Sequence, residues 1–293
     1  MPNLRDIKKR IVSVHSTRQI TRTMEMVATA KIKKAQERIE AARPYALSMM
    51  EVLGNVARYA KDVEHPLLVV REETQKVAVI AVASDRGLAG ALNSNILRMT
   101  EKFIAEKRAQ GVPVDLITVG KKAGAYFRYR GIEPAAAYRD ISDKPTFLDA
   151  KSIASHVVPA YSAGELDEVV IIFNRFKNVA EQIPEEHRLL PVRATLLEEV
   201  AEGSDVRAEY IFEPDARSVL ENLLPTYIET LIYRALMESA ASEHGARRKA
   251  MKSATDNASD MIGSLTRSYN RARQAAITTE IAEIVGGAAA LED

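Results

Sequence analysis

The chain of 293 residues contains no cysteine, which excludes disulfide bonds, thiolate metal sites and a cysteine nucleophile. Long apolar runs are absent too, because a bilayer-spanning helix needs about 20 apolar residues and the longest continuous run, residues 77–83, is strand-sized. The five histidines are scattered without metal-like spacing, so we predict no metal site and no cofactor. The first residues enter a helical pattern at once, which predicts no leader and either a prokaryotic cytoplasmic protein or a mature organellar chain.

Net charge is only +1, from 41 basic and 40 acidic residues, but the charges are unevenly distributed. Residues 1–60 carry 12 Lys/Arg against 5 Asp/Glu, whereas residues 61–214 carry 20 against 24 and residues 215–293 carry 9 against 11. The amino-terminal segment is therefore the basic one, which indicates an acidic partner or nucleic acid.

The first 60 residues predict one long helix, with apolar or small residues spaced alternately by four and three. This 3.5-residue period is typical of a left-handed coiled coil. Arg18, Thr21 and Glu25 are polar positions in the register, where we expect the apolar stripe to move sideways to Ile20, Met24 and Val27. Pro44 is expected to kink this helix without ending it.

The last segment predicts a second long helix that begins near Pro214-Asp215 and ends at Gly286-Gly287. It repeats the same alternation at Met251, Thr255, Ala258, Ile262, Leu265, Tyr269, Ala272 and Ala276. We expect the two helices, roughly 80 Å and 105 Å long, to pair as an antiparallel coiled coil in which the tip of the second runs on alone.

The middle of the chain alternates strand-like and helix-like segments, which predicts a mostly parallel sheet covered by helices. The domain prediction is residues 1–60 as the first coiled-coil helix, 61–214 as an α/β domain and 215–293 as the second helix. The expected strands are 76–83, 114–119, 168–176 and 188–195, and the expected helices are 91–110, 121–130 and 147–162, the last interrupted by Pro159. Residues 61–75 and 196–214 are interpreted as connections.

Two short motifs suggest phosphate binding, each with a simpler interpretation. Residues 84–90 (Ser-Asp-Arg-Gly-Leu-Ala-Gly) lie between a strand and a helix but lack the spacing of a dinucleotide or P-loop motif, which favours a structural turn. Gly120-Lys121-Lys122 is interpreted as a solvated helix cap. Catalytic residues are not identified, so an enzyme acting on nucleotides remains a competing hypothesis without a catalytic group.

The basic face of the paired helices suggests another competing hypothesis, namely nucleic-acid binding. A nucleic-acid-binding coiled-coil arm would use such a face, although aromatic side chains for base stacking are nearly absent from it. The residues of this face are Lys8, Lys9, Arg10, Arg18, Arg22, Lys31, Lys33 and Lys34 on the first helix and Arg247, Arg248, Lys249 and Lys252 on the second.

Several segments resemble the γ subunits of F-type ATP synthases, in the right order over nearly the whole chain. Residues 4–11 (Leu-Arg-Asp-Ile-Lys-Lys-Arg-Ile) and 19–28 (Gln-Ile-Thr-Arg-Thr-Met-Glu-Met-Val-Ala) are similar to their amino-terminal helix. Residues 250–258 (Ala-Met-Lys-Ser-Ala-Thr-Asp-Asn-Ala) and 277–288 (Ile-Thr-Thr-Glu-Ile-Ala-Glu-Ile-Val-Gly-Gly-Ala) are similar to their carboxyl-terminal helix and signature. Residues 84–88 match the family's first strand–helix turn.

This resemblance implies a long antiparallel coiled coil of the terminal helices with a central Rossmann-like α/β domain. It also implies a non-catalytic rotor subunit of the central stalk, which turns inside three α and three β subunits and binds ε and the membrane c-ring. The implied location is peripheral, on the cytoplasmic face of the bacterial inner membrane or, for an organellar chain, the matrix side of the mitochondrial inner membrane. No nucleic-acid partner and no direct membrane insertion are implied.

The same resemblance implies contacts with loops of the β subunit. Met24 corresponds to the position where the family's first helix faces such a loop, although ordinary packing in the coiled-coil seam is an alternative role for it. The implied counterparts on the second helix are Arg247, Arg273, Gln274, Thr278 and Glu280.

Overall fold

The computed structural model describes residues 4–59, 65–71, 73–192 and 215–292. Its helices are α1 (Leu4–Tyr59), α2 (Leu92–Ala109), α3 (Lys121–Tyr129), α4 (Phe147–Ser162) and α5 (Ala216–Glu292), with a short 3-10 turn at Pro66–Leu68. Its strands are β1 (Val77–Val82), β2 (Val114–Val119), β3 (Ala136–Tyr138), β4 (Glu168–Phe176) and β5 (Gln182–Leu190). The predicted architecture, two long terminal helices and a central α/β sheet, is confirmed.

Helix α1 follows the predicted heptad register with one correction. The register passes through Arg18, Thr21 and Glu25, of which Thr21 is buried and the other two are half-buried. The expected sideways shift of the stripe is wrong at Ile20 and Val27, which are 60% and 51% exposed, whereas Met24 is half-buried. The supercoil keeps its polar positions in the seam because a lateral shift would rotate the flanking apolar residues out of it. The positions of this register, all of them buried or half-buried, are 4, 7, 11, 14, 18, 21, 25, 28, 32, 35, 39, 42, 46, 49, 53 and 56.

Helix α5 begins after Asp215, whose side chain accepts a hydrogen bond from the Ser218 amide at 2.8 Å and so caps the first turn. The predicted end at Gly286-Gly287 is wrong, because α5 continues to Glu292. Glycine costs only about 1 kcal/mol in a helix, so two of them do not by themselves stop one. Pro44, Pro159 and Pro225 all lie inside helices, so the predicted interruption at Pro159 is wrong as well.

The five strands form one sheet in the order β3-β2-β1-β4-β5. Pairing is parallel between β1 and its neighbours β2 and β4 and between β2 and β3, whereas β5 is antiparallel to β4. The last strand was predicted at residues 188–195 but spans Gln182–Leu190, because its first half alternates polar residues on an edge strand and gives no apolar signal. Strand β3 was not predicted, since three residues are too few for a pattern.

The sheet has an apolar layer on each face. Every residue of β1 is buried, as expected for a central parallel strand covered on both sides. One layer joins Ala78, Ile80 and Val82 to α4 and to residues of α1 and α5, and the other joins Val77 and Val79 to α2 and α3. The domain is therefore an α/β/α sandwich in which parts of the long helices cover one face.

Two compact units divide the chain. One contains residues 1–28 and 248–293, and is called here the paired-helix unit; the other contains residues 29–247, and is called the α/β unit. The predicted domain boundaries at 60/61 and 214/215 fall at residues 60, 61 and 214, outside the described residues, and they stay a prediction. The connections predicted at residues 61–75 and 196–214 lie partly or wholly outside the described ranges, as do Pro214 and residues 193–195.

Candidate partner-binding surfaces

The seam of the paired-helix unit contains a polar layer between apolar ones. Thr21 and Thr255 are both buried, and their hydroxyl oxygens lie 2.7 Å apart, so one hydroxyl donates to the other across the two helices. This pair fixes the antiparallel register, because a residue on α1 and its counterpart on α5 then have numbers that sum to about 276. A buried polar pair of this kind specifies register at some cost in stability.

The register places the predicted partner-contact residues in two separate groups. Met24 is half-buried and lies opposite residue 252, whereas Arg273, Gln274, Thr278 and Glu280 lie near the end of α5 and are exposed. The 21 residues from 252 to 273 correspond to about 30 Å of helix. The structure therefore does not bring Met24 together with the other four residues, and they can only act as separate contacts.

The side chains of Arg273 and Gln274 make no hydrogen bond and no ion pair with the described residues. The Thr278 hydroxyl donates to the Gln274 carbonyl at 2.9 Å, within the helix. A free guanidinium and a free carboxamide on one turn of a helix can donate to carbonyl or carboxylate oxygens of a partner. This geometry is suitable for the predicted contact, which stays a prediction.

An exposed apolar stripe near the end of α5 was not predicted as a candidate binding surface. Ile277, Ile281, Ile284 and Val285 are between 45% and 72% exposed and recur on one face of the helix. The register explains the exposure, since Leu4, where α1 begins, lies opposite Ala272, and α5 extends beyond it. The signal was available in the sequence, as the apolar period continues past the last seam position, Ala276.

Arg247 lies in the α/β unit, in a different environment from the other predicted contacts. Its guanidinium donates to Glu243 Oε1 at 2.6 Å and to the Gly87 carbonyl at 3.2 Å, and its side chain is only 11% exposed. The hydrogen bond to Gly87 joins α5 to the turn after β1. Sequence reasoning could not find this contact, because the carbonyl partner lies 160 residues away.

A second buried polar group adjoins this ion pair. His244 Nε2 lies 3.5 Å from Asp143 Oδ1, and Lys31 Nζ donates to the same carboxylate at 2.6 Å. Burial lowers the pKa of His244 to about 4, so the imidazole is neutral near pH 7. Burial opposes ionisation of Asp143 too, but the hydrogen bonds and charge of Lys31 outweigh it and lower its pKa. This cluster links α1, α5 and the loop after β3.

Burial also raises the pKa of Glu243, and the opposing effect of Arg247 is smaller. The two acidic groups of this region, Asp143 and Glu243, therefore have pKa shifts of opposite sign. Each is tied to a basic side chain, so the region joins elements of the fold and offers no free acid or base to a substrate.

Asp85 lies at the carboxyl edge of the sheet, the edge at which doubly wound folds bind phosphates. Its carboxylate accepts from the backbone amides of Lys121 at 2.9 Å, Asp140 at 3.0 Å and Ser142 at 3.0 Å. Burial opposes ionisation, but these hydrogen bonds outweigh it and lower the pKa of Asp85. The amino terminus of α3 is therefore bound by a protein anion. Lys121 and Lys122 are exposed, as the predicted solvated cap requires, but the Lys121 amide is paired with Asp85.

Gly120 makes this close approach possible. Its φ is +91°, and a Cβ at this position would lie 2.2 Å from the Ala83 carbonyl oxygen, so only glycine fits. The described residues contain no group of three His, Cys, Asp or Glu side chains that could hold a metal ion. Within the same ranges, no helix is both long and apolar enough to cross a bilayer.

Comparison with known proteins identifies the family. The ATP synthase family profile matches residues 3–291. The chain is 51% identical to the ATP synthase gamma chain of Pelotomaculum thermopropionicum and 49% identical to that of Desulforamulus reducens, in each case over 100% of both chains. The chain belongs to the ATP synthase gamma chain family.

Solved structures agree with this family assignment. The central stalk of the Tetrahymena thermophila mitochondrial ATP synthase, solved with its c-ring, is 26% identical with a TM-score of 0.61, covering 80% of this chain and 99% of that one. A chain of the Euglena gracilis mitochondrial ATP synthase, solved with OSCP, F1 and the c-ring, is 19% identical and supports the fold alone, with a TM-score of 0.66 and coverage of 98% and 94%. As a gamma chain, the protein is a central-stalk rotor subunit, as the sequence predicted, and these relatives give no support to a nucleic-acid-binding arm.

Proposed function

We propose that this gamma chain transmits rotation between the membrane c-ring and the catalytic α and β subunits, so that ion flow drives ATP synthesis. The observation that carries this proposal is the match over the full length to ATP synthase gamma chains, together with terminal helices that pair antiparallel at Thr21 and Thr255. ATP chemistry would belong to the β subunits. The carboxylate of Asp85, which lies in the turn after β1, binds the backbone amide of Lys121 and so is engaged within the fold.

The proposed partners are three α and three β subunits around the paired helices, with ε and the c-ring bound elsewhere on the chain. The chain would then be a peripheral component on the cytoplasmic face of the bacterial inner membrane. The bacterial origin of the most similar relatives quoted above favours this location over the mitochondrial one.

A rotor must resist twisting and yet must not adhere at any one angle. The seam of the paired-helix unit can provide stiffness, since each heptad of α1 in that unit contributes buried or half-buried positions. Weak adhesion is favoured by exposed charges such as Lys8, Lys9 and Arg22, because an exposed ion pair is worth only about 0.2–1 kcal/mol. Torque would then arise from steric contact and many weak charge interactions with acidic loops of β.

The proposed contacts with β are Met24, Arg273, Gln274, Thr278 and Glu280 on the paired-helix unit. Met24 lies between exposed Ile20 and Val27 on one helix face, which favours a surface contact over seam packing alone. Arg247 is proposed with them by family resemblance, but it must keep or exchange its ion pair with Glu243 to take part.

Co-purification tests the assembly. A tagged chain expressed in a host with the matching operon should recover α, β and ε in stoichiometric amounts. Recovery of the chain alone, or with nucleic acid that is released by salt, would refute the proposed assembly and favour the arm hypothesis.

Met24→Lys tests the contact with β. The added cation should form an unwanted ion pair with an acidic β loop and lower the ratio of pumped protons to hydrolysed ATP, about twofold or more, in inverted membrane vesicles. Met26→Lys is the matched control, because Met26 is 59% exposed and points away from Met24 on the same helix. Unchanged coupling in Met24→Lys, or equal loss in both variants, would count against the contact.

A further inference from the structure

A small cavity of about 40 Å³ lies in the α/β unit, between α1, α5 and the loop after β3. Part of its lining is apolar and buried or half-buried, and the rest is mostly basic. The apolar residues are Ala35 of α1, Pro145 of the loop and Met237 and Ala240 of α5, and the basic ones are Lys31, Lys34 and Arg38 of α1 and Lys144 of the loop.

The carboxylate in the cavity lining is already neutralised by one of these lysines. Both oxygens of Asp143 accept from Lys31 Nζ, at 2.6 Å and 2.8 Å. His244 also lines the cavity and is neutral near pH 7, because burial lowers its pKa to about 4. These three side chains together carry no net charge, so the charge of the cavity is set by its other basic residues.

The other basic side chains of the cavity have no counterion within the part of the chain that the structure describes. Lys34, Arg38 and Lys144 are exposed and form no hydrogen bond and no ion pair with the described residues. Lys34 and Arg38 are four residues apart on α1, and like charges at this spacing destabilise a helix. The cavity therefore gathers three unpaired cations from two elements of the fold, and a bound anion would relieve their repulsion.

The size and charge of the cavity favour a small oxyanion. A volume of about 40 Å³ holds about three water-sized groups, since each needs about 10–15 Å³. Three oxygens of a phosphate or sulfate fit this space, and the fourth would face the solvent. Guanidinium and ammonium groups are the side chains that proteins most often use to bind phosphate oxygens.

An acidic peptide fits the cavity less well. A single carboxylate presents two oxygens and one negative charge to three cations, whereas a divalent oxyanion presents more of both. The peptide's backbone N–H and C=O groups would also face the apolar lining at Met237 and Ala240, which offers them no side-chain partner.

We propose that this cavity binds one tetrahedral oxyanion of the phosphate class, held by Lys34, Arg38 and Lys144. The oxyanion is either free phosphate or a phosphate group of a nucleotide, because both present the same oxygens. Bound there, it would link α1 to the loop after β3 through charge-assisted hydrogen bonds. The site lies entirely within the α/β unit and does not depend on the proposed function.

Equilibrium dialysis of the full chain against phosphate at constant ionic strength tests the site. One phosphate per chain should bind saturably, and sulfate should compete with it. Lys34→Gln, Arg38→Gln and Lys144→Gln should each weaken binding about tenfold, because each removes a charge-assisted hydrogen bond. Lys33→Gln is the matched control, since it removes the same charge from the same helix outside the cavity lining, and it should leave the affinity unchanged.

Two polyphosphates distinguish the sources of the oxyanion. Tighter binding of ATP than of tripolyphosphate, lost in Lys144→Gln, would assign the site to nucleotides. Equal affinity for the two would assign it to phosphate without a nucleoside. Arg38→Lys keeps the positive charge but loses the planar fork, so it should bind more tightly than Arg38→Gln and less tightly than the unmodified chain.

The melting temperature gives a second measurement of the same site. Phosphate should raise it in the unmodified chain and in Lys33→Gln but not in Lys144→Gln, because a ligand stabilises only the state that binds it. Circular dichroism would verify that the variants fold, as expected for exposed positions. No saturable binding of millimolar phosphate, or equal loss in Lys33→Gln, would overturn the proposal. Tighter binding of a short peptide of aspartate and glutamate, abolished by the same variants, would overturn it in favour of an acidic-peptide surface.

Discussion

The two units of this chain use the same two helices in different ways. In the α/β unit, α1 and α5 bury large side chains such as Leu53, Leu224 and Ile228 against the sheet. In the paired-helix unit, the buried side chains among the described residues are mostly short: Ile7, Thr21, Ala28, Met251, Thr255 and Ala258. A helix that buries little on its own seam keeps most of its surface free, which suits the proposed contacts with several partner subunits.

This difference also has an energetic consequence. All of the largest fully buried side chains belong to the α/β unit, where both faces of the sheet are covered. Burial of apolar surface stabilises a protein by about 25 cal/mol per Å², so the α/β unit should hold most of the stability. The paired-helix unit should be the easier one to open locally.

Core truncations compare the two units directly and should have the largest effect. Ile171→Ala removes a fully buried side chain from β4 and should lower the free energy of unfolding by about 2–5 kcal/mol. Ile262→Ala, at a half-buried seam position, should cost about 1 kcal/mol. Urea denaturation followed by circular dichroism measures both, and equal costs would contradict the comparison.

Asp85→Ala tests the polar interior of the α/β unit. Three backbone amides would lose a charged acceptor, and the amino terminus of α3 would lose its cap, so the expected cost is about 2–4 kcal/mol. Asp115→Ala is the control, because Asp115 forms a partly exposed ion pair with Lys76 and should cost less than about 1 kcal/mol. A smaller loss for Asp85→Ala than for the control would show that the cap is dispensable.

His244 should make the α/β unit sensitive to acid. Its pKa is about 4 in the folded chain and 6.5 in the unfolded chain, so the unfolded state binds the extra proton between these pH values. The stability due to neutral His244 is therefore complete above pH 6.5 and is lost as the pH falls toward 4. Between pH 7 and pH 5 the free energy of unfolding should fall by about 2 kcal/mol because of His244.

His244→Gln should remove this part of the pH dependence, whereas His156→Gln, on an exposed face of α4, should retain it. Glu243 has a raised pKa and contributes with the opposite sign, and Asp143, Lys31 and Arg247 surround the ring, so the difference between variants is the informative quantity. The urea midpoints of each variant at pH 7 and pH 5 would measure its loss of stability between these pH values. A loss in His244→Gln as large as in the unmodified chain would contradict the assignment.

Local periodicity made most of the fold predictable. The heptads located α1 and α5, and short apolar runs located β1, β2 and β4 because each is buried. Strand β5 was misplaced because an edge strand carries polar residues, and the seam at Arg18, Thr21 and Glu25 was misjudged because polarity was taken to mean exposure. Thr21 is buried since Thr255 supplies a partner, and no local pattern reveals a partner 234 residues away.

The candidate surfaces were predictable to a smaller extent. Family resemblance pointed to Arg273 and Gln274, and the structure places both on an exposed helix face. The pairing of Arg247 with Glu243 was available in the sequence, because the two residues are four apart on one helix. The binding of the amino terminus of α3 by Asp85 was not, because it depends on contacts formed only in the folded chain. The apolar tip at Ile281 and Ile284 was visible in the sequence but needed the register to be recognised as exposed.

The central claim is that the two ends of the chain pair antiparallel in one register, with Thr21 opposite Thr255. Because the chain has no cysteine, a Thr21→Cys/Thr255→Cys double variant offers only one intrachain disulfide, and the yield of its formation under mild oxidation is the measurement. We predict nearly complete cross-linking in this variant and little in Thr21→Cys/Ile262→Cys, which is displaced by two helical turns. Equal yields, or cross-linking only in the displaced pair, would contradict the account.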